Sequence, residues 1–170
     1  MADQLINIFF QEWAPLFPVL HRPSFLNVYE SYVSNPENLQ DSVSVAQLNL
    51  VFGIAALSSK VSKHILTKLN KLTFLQSCDI SQVESFESNW KTALTPVLEQ
   101  NSLVTLQCLA LAQIHCLLRS DHAALVKYRG MAVSLSHRLG LHHSQKWFPL
   151  GVLTIETRKK VFWTLYTLDW

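Results

Sequence analysis

Apolar positions along the chain recur at the three-to-four-residue spacing of helix faces, and nowhere alternate convincingly at a period of two. The densest run, residues 103–118, places Leu103, Val104, Leu106, Leu109, Leu111, Ile114, Leu117 and Leu118 on every side of a helical wheel. Only Thr105, Gln107, Gln113 and His115 interrupt it. A helix without a wet face must be covered on most sides, so this run is expected at the centre of the molecule. Ser102 is placed to cap its start, and Ala110 and Ala112 would admit a close neighbour. The next segment is amphipathic: Tyr128, Met131, Ala132, Leu135 and Leu139 share one stripe, with Lys127, Arg129, Ser134 and Arg138 elsewhere. Asp121 suits its positive end, and Gly140 with Leu141 fits the C′ and C″ places of a Schellman ending. Gly130 stands in its interior, where glycine costs roughly 1 kcal/mol against alanine. Close packing on the central helix is the expected compensation.

The remaining elements are laid against that pair. Leu5, Ile6, Phe9, Phe10 and Trp13 form the apolar side of a first helix, capped by Asp3 and stopped by Pro15 and Pro18. The connector PLFPVLHRP, residues 15–23, is both proline-set and apolar. Ordinary loops are polar, so Leu16, Phe17, Val19 and Leu20 are expected to plug a gap between helices. Ser24 would cap a short helix from Phe25 to about Val33, ended by Asn35-Pro36. Capping boxes at Ser44 with Gln47 and at Ser81 with Glu84 open two more helices. Residues 58–77 read as a helix or as a loop with helical turns. Pro96 either kinks the helix carrying Phe86, Trp90 and Leu94 or begins a new turn capped by Thr95. A final helix is expected from Thr154 or Ile155, with Glu156 pairing Lys160. The architecture is therefore all-α, an irregular bundle of about seven to eight helices around a central buried helix. Ending in LYTLDW, it reads as an incomplete domain.

With 170 residues, 49% of them hydrophobic and 15% charged, the chain can bury a real core and is not disordered. A net charge of +2 without a basic block is too weak a footprint for nucleic acid. The three cysteines, Cys78, Cys108 and Cys116, fit reduced buried thiols better than a disulfide framework. The opening MADQLINIFF has no cationic leader pattern, and residues 103–118 are too short and too interrupted to span a bilayer, so a soluble chain is expected.

Candidate chemistry is sparse. His137, His142 and His143 straddle a helix end without metal-ligand spacing; His142 reads as a helix-end cation. His115 and Cys116 are helix neighbours that diverge, and His115 reads as a satisfied core histidine. Asp79, Glu84 and Glu87 lie on a solvated face with no second acid opposite. Arg158, Lys159 and Lys160 read as a wet rim. No phosphate-cradling glycine loop or nucleophile elbow occurs. An enzyme is not indicated.

Four stretches nevertheless match a known pattern in order. FFQEWAPLFPVLHRPSF (residues 9–25) resembles the entry motif of the fungal transcription-factor regulatory domain. TLQCLALAQIHCL is similar to its central helix, YRGMAVSLSHRLGLHH to its Gly-Met-Ala … Leu-Gly-Leu-His segment, and ETRKKVFWTLYTLDW to its basic helix ending in Leu-Asp. The chain is thus identified as resembling the middle homology region of the binuclear zinc cluster regulators, most like the FacB type that controls acetate and gluconeogenic carbon use. The resemblance implies that residues 1–170 form the N-terminal part of a regulatory domain in a nuclear fungal transcription factor. The six-cysteine cluster itself is absent. Zinc and DNA would therefore be held only by a module outside this chain, which is expected to carry no cofactor. Other transcription-regulatory proteins are the expected partners, and a membrane is not. A groove lined by Leu16, Phe17 and His21 of the connector, with Trp147 and Phe148, is the candidate regulatory site. A generic α-helical protein-interaction scaffold is the alternative, and a helical enzyme or lipid binder would need a polar cluster that the sequence lacks.

Overall fold

The computed structural model describes residues 2–34, 41–68, 80–143 and 150–169, with backbone alone at 60–68 and 80. Seven α-helices and one π-helical turn make up the described residues, among which there is no strand. Helix α1 (Ala2–Ile8) runs into the π turn Phe9–Trp13, followed by α2 (Arg22–Ser34), α3 (Ser42–Lys68) and α4 (Ile80–Val97). Next come α5 (Leu103–Arg119), α6 (His122–Arg138) and α7 (Val152–Asp169). Every residue from Thr105 to Cys116 is buried, so α5 is the central helix that its wheel demands. It packs against α3, α6 and α7, while α3 also meets α1 and α4. Ala110 and Ala112 are wholly buried, consistent with close neighbours at both positions.

The caps explain where α5 and α6 begin and end. Ser102 Oγ accepts the Thr105 amide at 3.1 Å, and Asp121 Oδ1 accepts that of Ala124 at 3.0 Å. At the far end of α6, Gly140 has φ +65°. The Leu141 amide reaches Ser136 O at 3.0 Å and the Gly140 amide reaches His137 O at 2.9 Å, the two bonds of a Schellman ending. α5 closes in the same way on a serine: Ser120 has φ +57°, and the Asp121 and Ser120 amides donate to Cys116 O and Leu117 O at 3.0 and 3.1 Å.

Several starts differ from the sequence reading, and at α3 this is because another side chain takes the orphan amides. α3 begins at Ser42, since Asp41 accepts the Val43 amide at 3.2 Å and the Ser44 hydroxyl at 3.0 Å. Gln47 is thereby freed for the interior. α2 begins at Arg22, with the Phe25 amide bonded to His21 O at 3.0 Å and Pro23 tolerated in the first turn. α4 starts at Ile80, one residue ahead of Ser81. α7 starts at Val152 behind Gly151, whose carbonyl accepts the Ile155 amide at 3.0 Å. Pro96 opens no new helix; it sits inside α4, one residue before the helix ends at Val97. α3 continues to Lys68, so the helical reading holds for that part of residues 58–77, and 69–79 lie outside the described residues.

Among the described residues one stretch, Ser42–Ser59, is by length and composition able to cross a membrane. It is mostly buried inside the bundle, as the core helix of a globular domain would be.

Candidate functional site

The connector between α1 and α2 is held from within. Val19 is wholly buried, and its carbonyl accepts Gln107 Nε2 of α5 at 2.8 Å. Gln107 Oε1 in turn accepts Gln47 Nε2 of α3 at 3.4 Å. A buried relay therefore ties a non-helical segment to two helices, satisfying groups that would otherwise cost a few kcal/mol each. The expected plug is only partly realised. Val19 fills the interior and Leu20 is half-buried, but Leu16 is 67% exposed. Phe17 stacks on Trp13 with ring centroids 6.2 Å apart.

His21 is exposed, with Nδ1 2.8 Å from Ser24 Oγ. It opens onto a cavity of about 570 Å³ between the N-terminal ends of α2, α3, α5 and α7, which Leu20, Phe25, Gln47 and Gln107 also line. Of the candidate regulatory residues, His21 faces this cavity, whereas Leu16 and Phe17 do not line it. Trp147 and Phe148 lie outside the described residues.

A second cavity, of about 430 Å³, lies between α5 and α6 beside the end of α4. Its floor is apolar, made by Leu98, Leu109, Met131 and Leu135, and Lys127 and Arg138 stand at its edge. Gly130 lines it too. A Cβ built there would meet nothing within 4 Å, so close packing on the central helix is not what Gly130 provides. The sequence carries a faint signal of this groove: an interior glycine between two cations on one helix.

Several titratable groups are shifted by their burial. His115 is 1% exposed, with its ring edge-on to Trp90 at a centroid distance of 5.2 Å. Gly53 makes the room: a Cβ there would stand 3.1 Å from His115 Cδ2. His115 is buried as expected but not satisfied, because Nε2 has no hydrogen-bond partner. Burial lowers its pKa to about 4, Arg119 and Lys91 adding to the effect and Glu87 opposing it. Burial likewise pushes the Cys108 thiol up to about 12 and that of Cys116 to about 11, far from a nucleophile's range.

Glu87 is not on a purely solvated face. Its side chain is 17% exposed and pairs with Lys91 at 2.6 Å and Arg119 at 3.2 Å, tying α4 to α5. Burial pushes its carboxyl up, but Lys91 and Arg119 outweigh that and hold it below the ordinary value.

His137, His142 and His143 do adjoin, with centroids 5.1 Å apart for the first two and 3.9 Å for the last two. Among the described residues, however, no group of three His, Cys, Asp or Glu side chains is set to hold a metal ion. Desolvation and the two neighbouring imidazoles lower the His142 pKa, opposing the gain that a cation would have at that helix end.

The basic run at the start of α7 is engaged by protein. Arg158 Nη2 donates to Leu139 O, just past the end of α6, at 2.6 Å. Lys159, rather than Lys160, pairs with Glu156, at 2.7 Å. From the other side, Arg129 of α6 donates to Leu168 O at 2.9 Å and lies 3.4 Å from Asp169. The two antiparallel helices thus close each other's last turns, where cations suit the negative end of the dipole. This accounts for the Arg and the Leu-Asp of the last motif in physical terms.

Comparison with known proteins places this geometry. Residues 6–170 match the family described as the fungal specific transcription factor domain. The chain is 51% identical over 168 residues to the transcriptional activator protein acu-15 of Neurospora crassa, covering 99% of this chain and 16% of that protein. It is 27% identical over 169 residues to an ABC-transporter-regulating transcription factor of Aspergillus oryzae, covering 99% of this chain and 18% of that protein. A protein of the same description from Aspergillus fumigatus is 26% identical over 169 residues, with the same coverage. The chain therefore spans less than a fifth of these relatives' lengths. No solved structure matches it.

Proposed function

The chain belongs to the fungal-specific transcription factor domain family, and from that premise we propose that it is the regulatory, non-DNA-contacting segment of a nuclear factor that adjusts transcription to carbon source. The observation that carries the reading is the chain-long identity of 51% to a protein named as a transcriptional activator. The groups built here, a wrapped apolar helix and thiols held protonated, suit a body that packs and shifts rather than one that catalyses. DNA is reached through a zinc-cluster module in the rest of the parent protein, and zinc is held there. Other transcription-regulatory proteins are the partners of this segment. The carbon-source assignment comes from the likeness of its four motifs to the FacB-type regulators.

A regulatory body needs packing states that an input can bias. The connector pinned by Gln107 and the cavity behind His21 are where such states would differ. The test is genetic. In the full-length parent factor, Gln107→Leu and His21→Ala are introduced and a target-gene reporter is read on acetate and on glucose, with protein level followed by immunoblot. The proposal expects the acetate-to-glucose ratio to change after correction for protein level. A ratio unaltered in both variants, and unaltered also in a factor from which the segment is deleted, would overturn it.

A further inference from the structure

Gly130 poses a physical problem that the rest of the fold does not answer. It is exposed, lies in the middle of α6, and has ordinary helical backbone. Alanine there would stabilise the helix by up to about 1 kcal/mol, and its methyl group would touch no atom within 4 Å. The glycine therefore keeps open a space that no described residue fills. That space is the mouth of the cavity of about 430 Å³ between α5 and α6, within the size range of small-molecule sites.

The lining says what would enter. Leu98, Leu109, Met131 and Leu135 offer an aliphatic floor, and Lys127 and Arg138 are the charged groups at its rim. Neither cation makes an ion pair with a carboxylate among the described residues. Lys127 Nζ instead lies over the Tyr128 ring at 6.0 Å, with its stem free to cover an apolar guest. Eleven residues separate the two along α6, roughly 16 Å at the helical rise. The guanidinium fork of Arg138 matches a carboxylate bidentately.

We propose that this groove is a binding site for a free aliphatic carboxylate of medium chain length, its head on Arg138 and its tail along Leu109, Met131 and Leu135 past Gly130. The site goes beyond the functional reading above and does not depend on it, because binding is measured on the chain without DNA or transcription.

Isothermal titration of the 170-residue chain with decanoate, kept below its micelle concentration, tests it, with decanol and decyltrimethylammonium as probes of charge. The expected result is saturable one-to-one binding of decanoate that weakens with salt, about tenfold or more weaker binding of decanol, and none of the cation. Gly130→Leu should abolish binding, since its side chain fills the mouth. Arg138→Gln should weaken it about tenfold or more, and Lys127→Gln less. Gly130→Ala is the folding control, expected to melt at or above the native temperature. Decanol binding as tightly as decanoate, undiminished decanoate binding by folded Gly130→Leu, or no saturable binding would each overturn the proposal.

Discussion

Acidification should destabilise this protein through one buried imidazole, and the effect can be isolated. His115 is 1% exposed, its Nε2 lacks a partner, and its pKa in the folded chain is about 4 against an ordinary 6.5. The sign follows from which state binds the proton. Above pH 6.5 both states hold a neutral ring and His115 imposes no penalty. As pH falls from 6.5 to 4 the unfolded chain takes up a proton that the folded chain refuses, so folding stability drops. Below 4 both are protonated and the loss levels off. The gap in pKa corresponds to about 3 kcal/mol at its full extent, a large fraction of the 5–15 kcal/mol typical of a domain. Paired carboxylates such as Glu87 also lose stability in acid, so the native pH profile alone cannot isolate the histidine. The measurement is urea unfolding of the native chain and of His115→Leu at steps from pH 7.5 to 4. Leucine removes the titration and the orphaned nitrogen together, so at pH 7.5 the variant should equal or exceed the native stability. The difference between the two should then grow by about 3 kcal/mol in the variant's favour by pH 4. A difference that stays flat across that range would refute the account.

Further expectations concern backbone and buried polar groups. Ser120, in the left-handed region, should gain up to about 1 kcal/mol as glycine and lose about 1–2 kcal/mol as valine, read as shifts of the urea midpoint. The two glycines of α3 and α6 should respond with opposite sign to alanine. Gly53→Ala presses on His115 at 3.1 Å and should cost about 1–3 kcal/mol, whereas Gly130→Ala should stabilise, as thermal melting would show. Gln107→Leu leaves the Val19 carbonyl and Gln47 without their partner. It should cost about 1–3 kcal/mol and speed amide exchange in the connector before the rest of the chain. Arg158→Met frees the Leu139 carbonyl and should make α7 the first site of limited proteolysis, with α5 and α6 still protected.

The central helix, its caps and the Schellman ending at Gly140 were legible because each is a local rule acting on neighbouring residues. Starts were missed where a competing group was available nearby: Asp41 outbids Ser44 for the first amides of α3. Once that happens Gln47 turns inward to Gln107, a contact sixty positions away that no local pattern contains. His115 was recognisable as buried from the run around it. Its unpaired nitrogen depends on Trp90 and on the space left by Gly53, both on other helices. The connector illustrates the same limit at the site. Its apolar character was visible, yet which side chains enter the interior was set by Gln107, which draws in Val19 and leaves Leu16 in solvent. The groove beside Gly130 was legible only as an uncompensated cost, and compensation by packing was the wrong inference from it.

The joint between α5 and α6 has a consequence for how the chain can vary. Ser120 ends one helix and Asp121 begins the next, so there is no slack between them. Adding or removing one residue at the start of α6 would turn the rest of that helix by about 100° about its own axis relative to its neighbours, moving Tyr128, Ala132 and Leu135 out of the core and carrying Arg129 away from the final turn of α7. Exchange of one side chain for another is therefore expected to be tolerated at this joint more readily than a change of length.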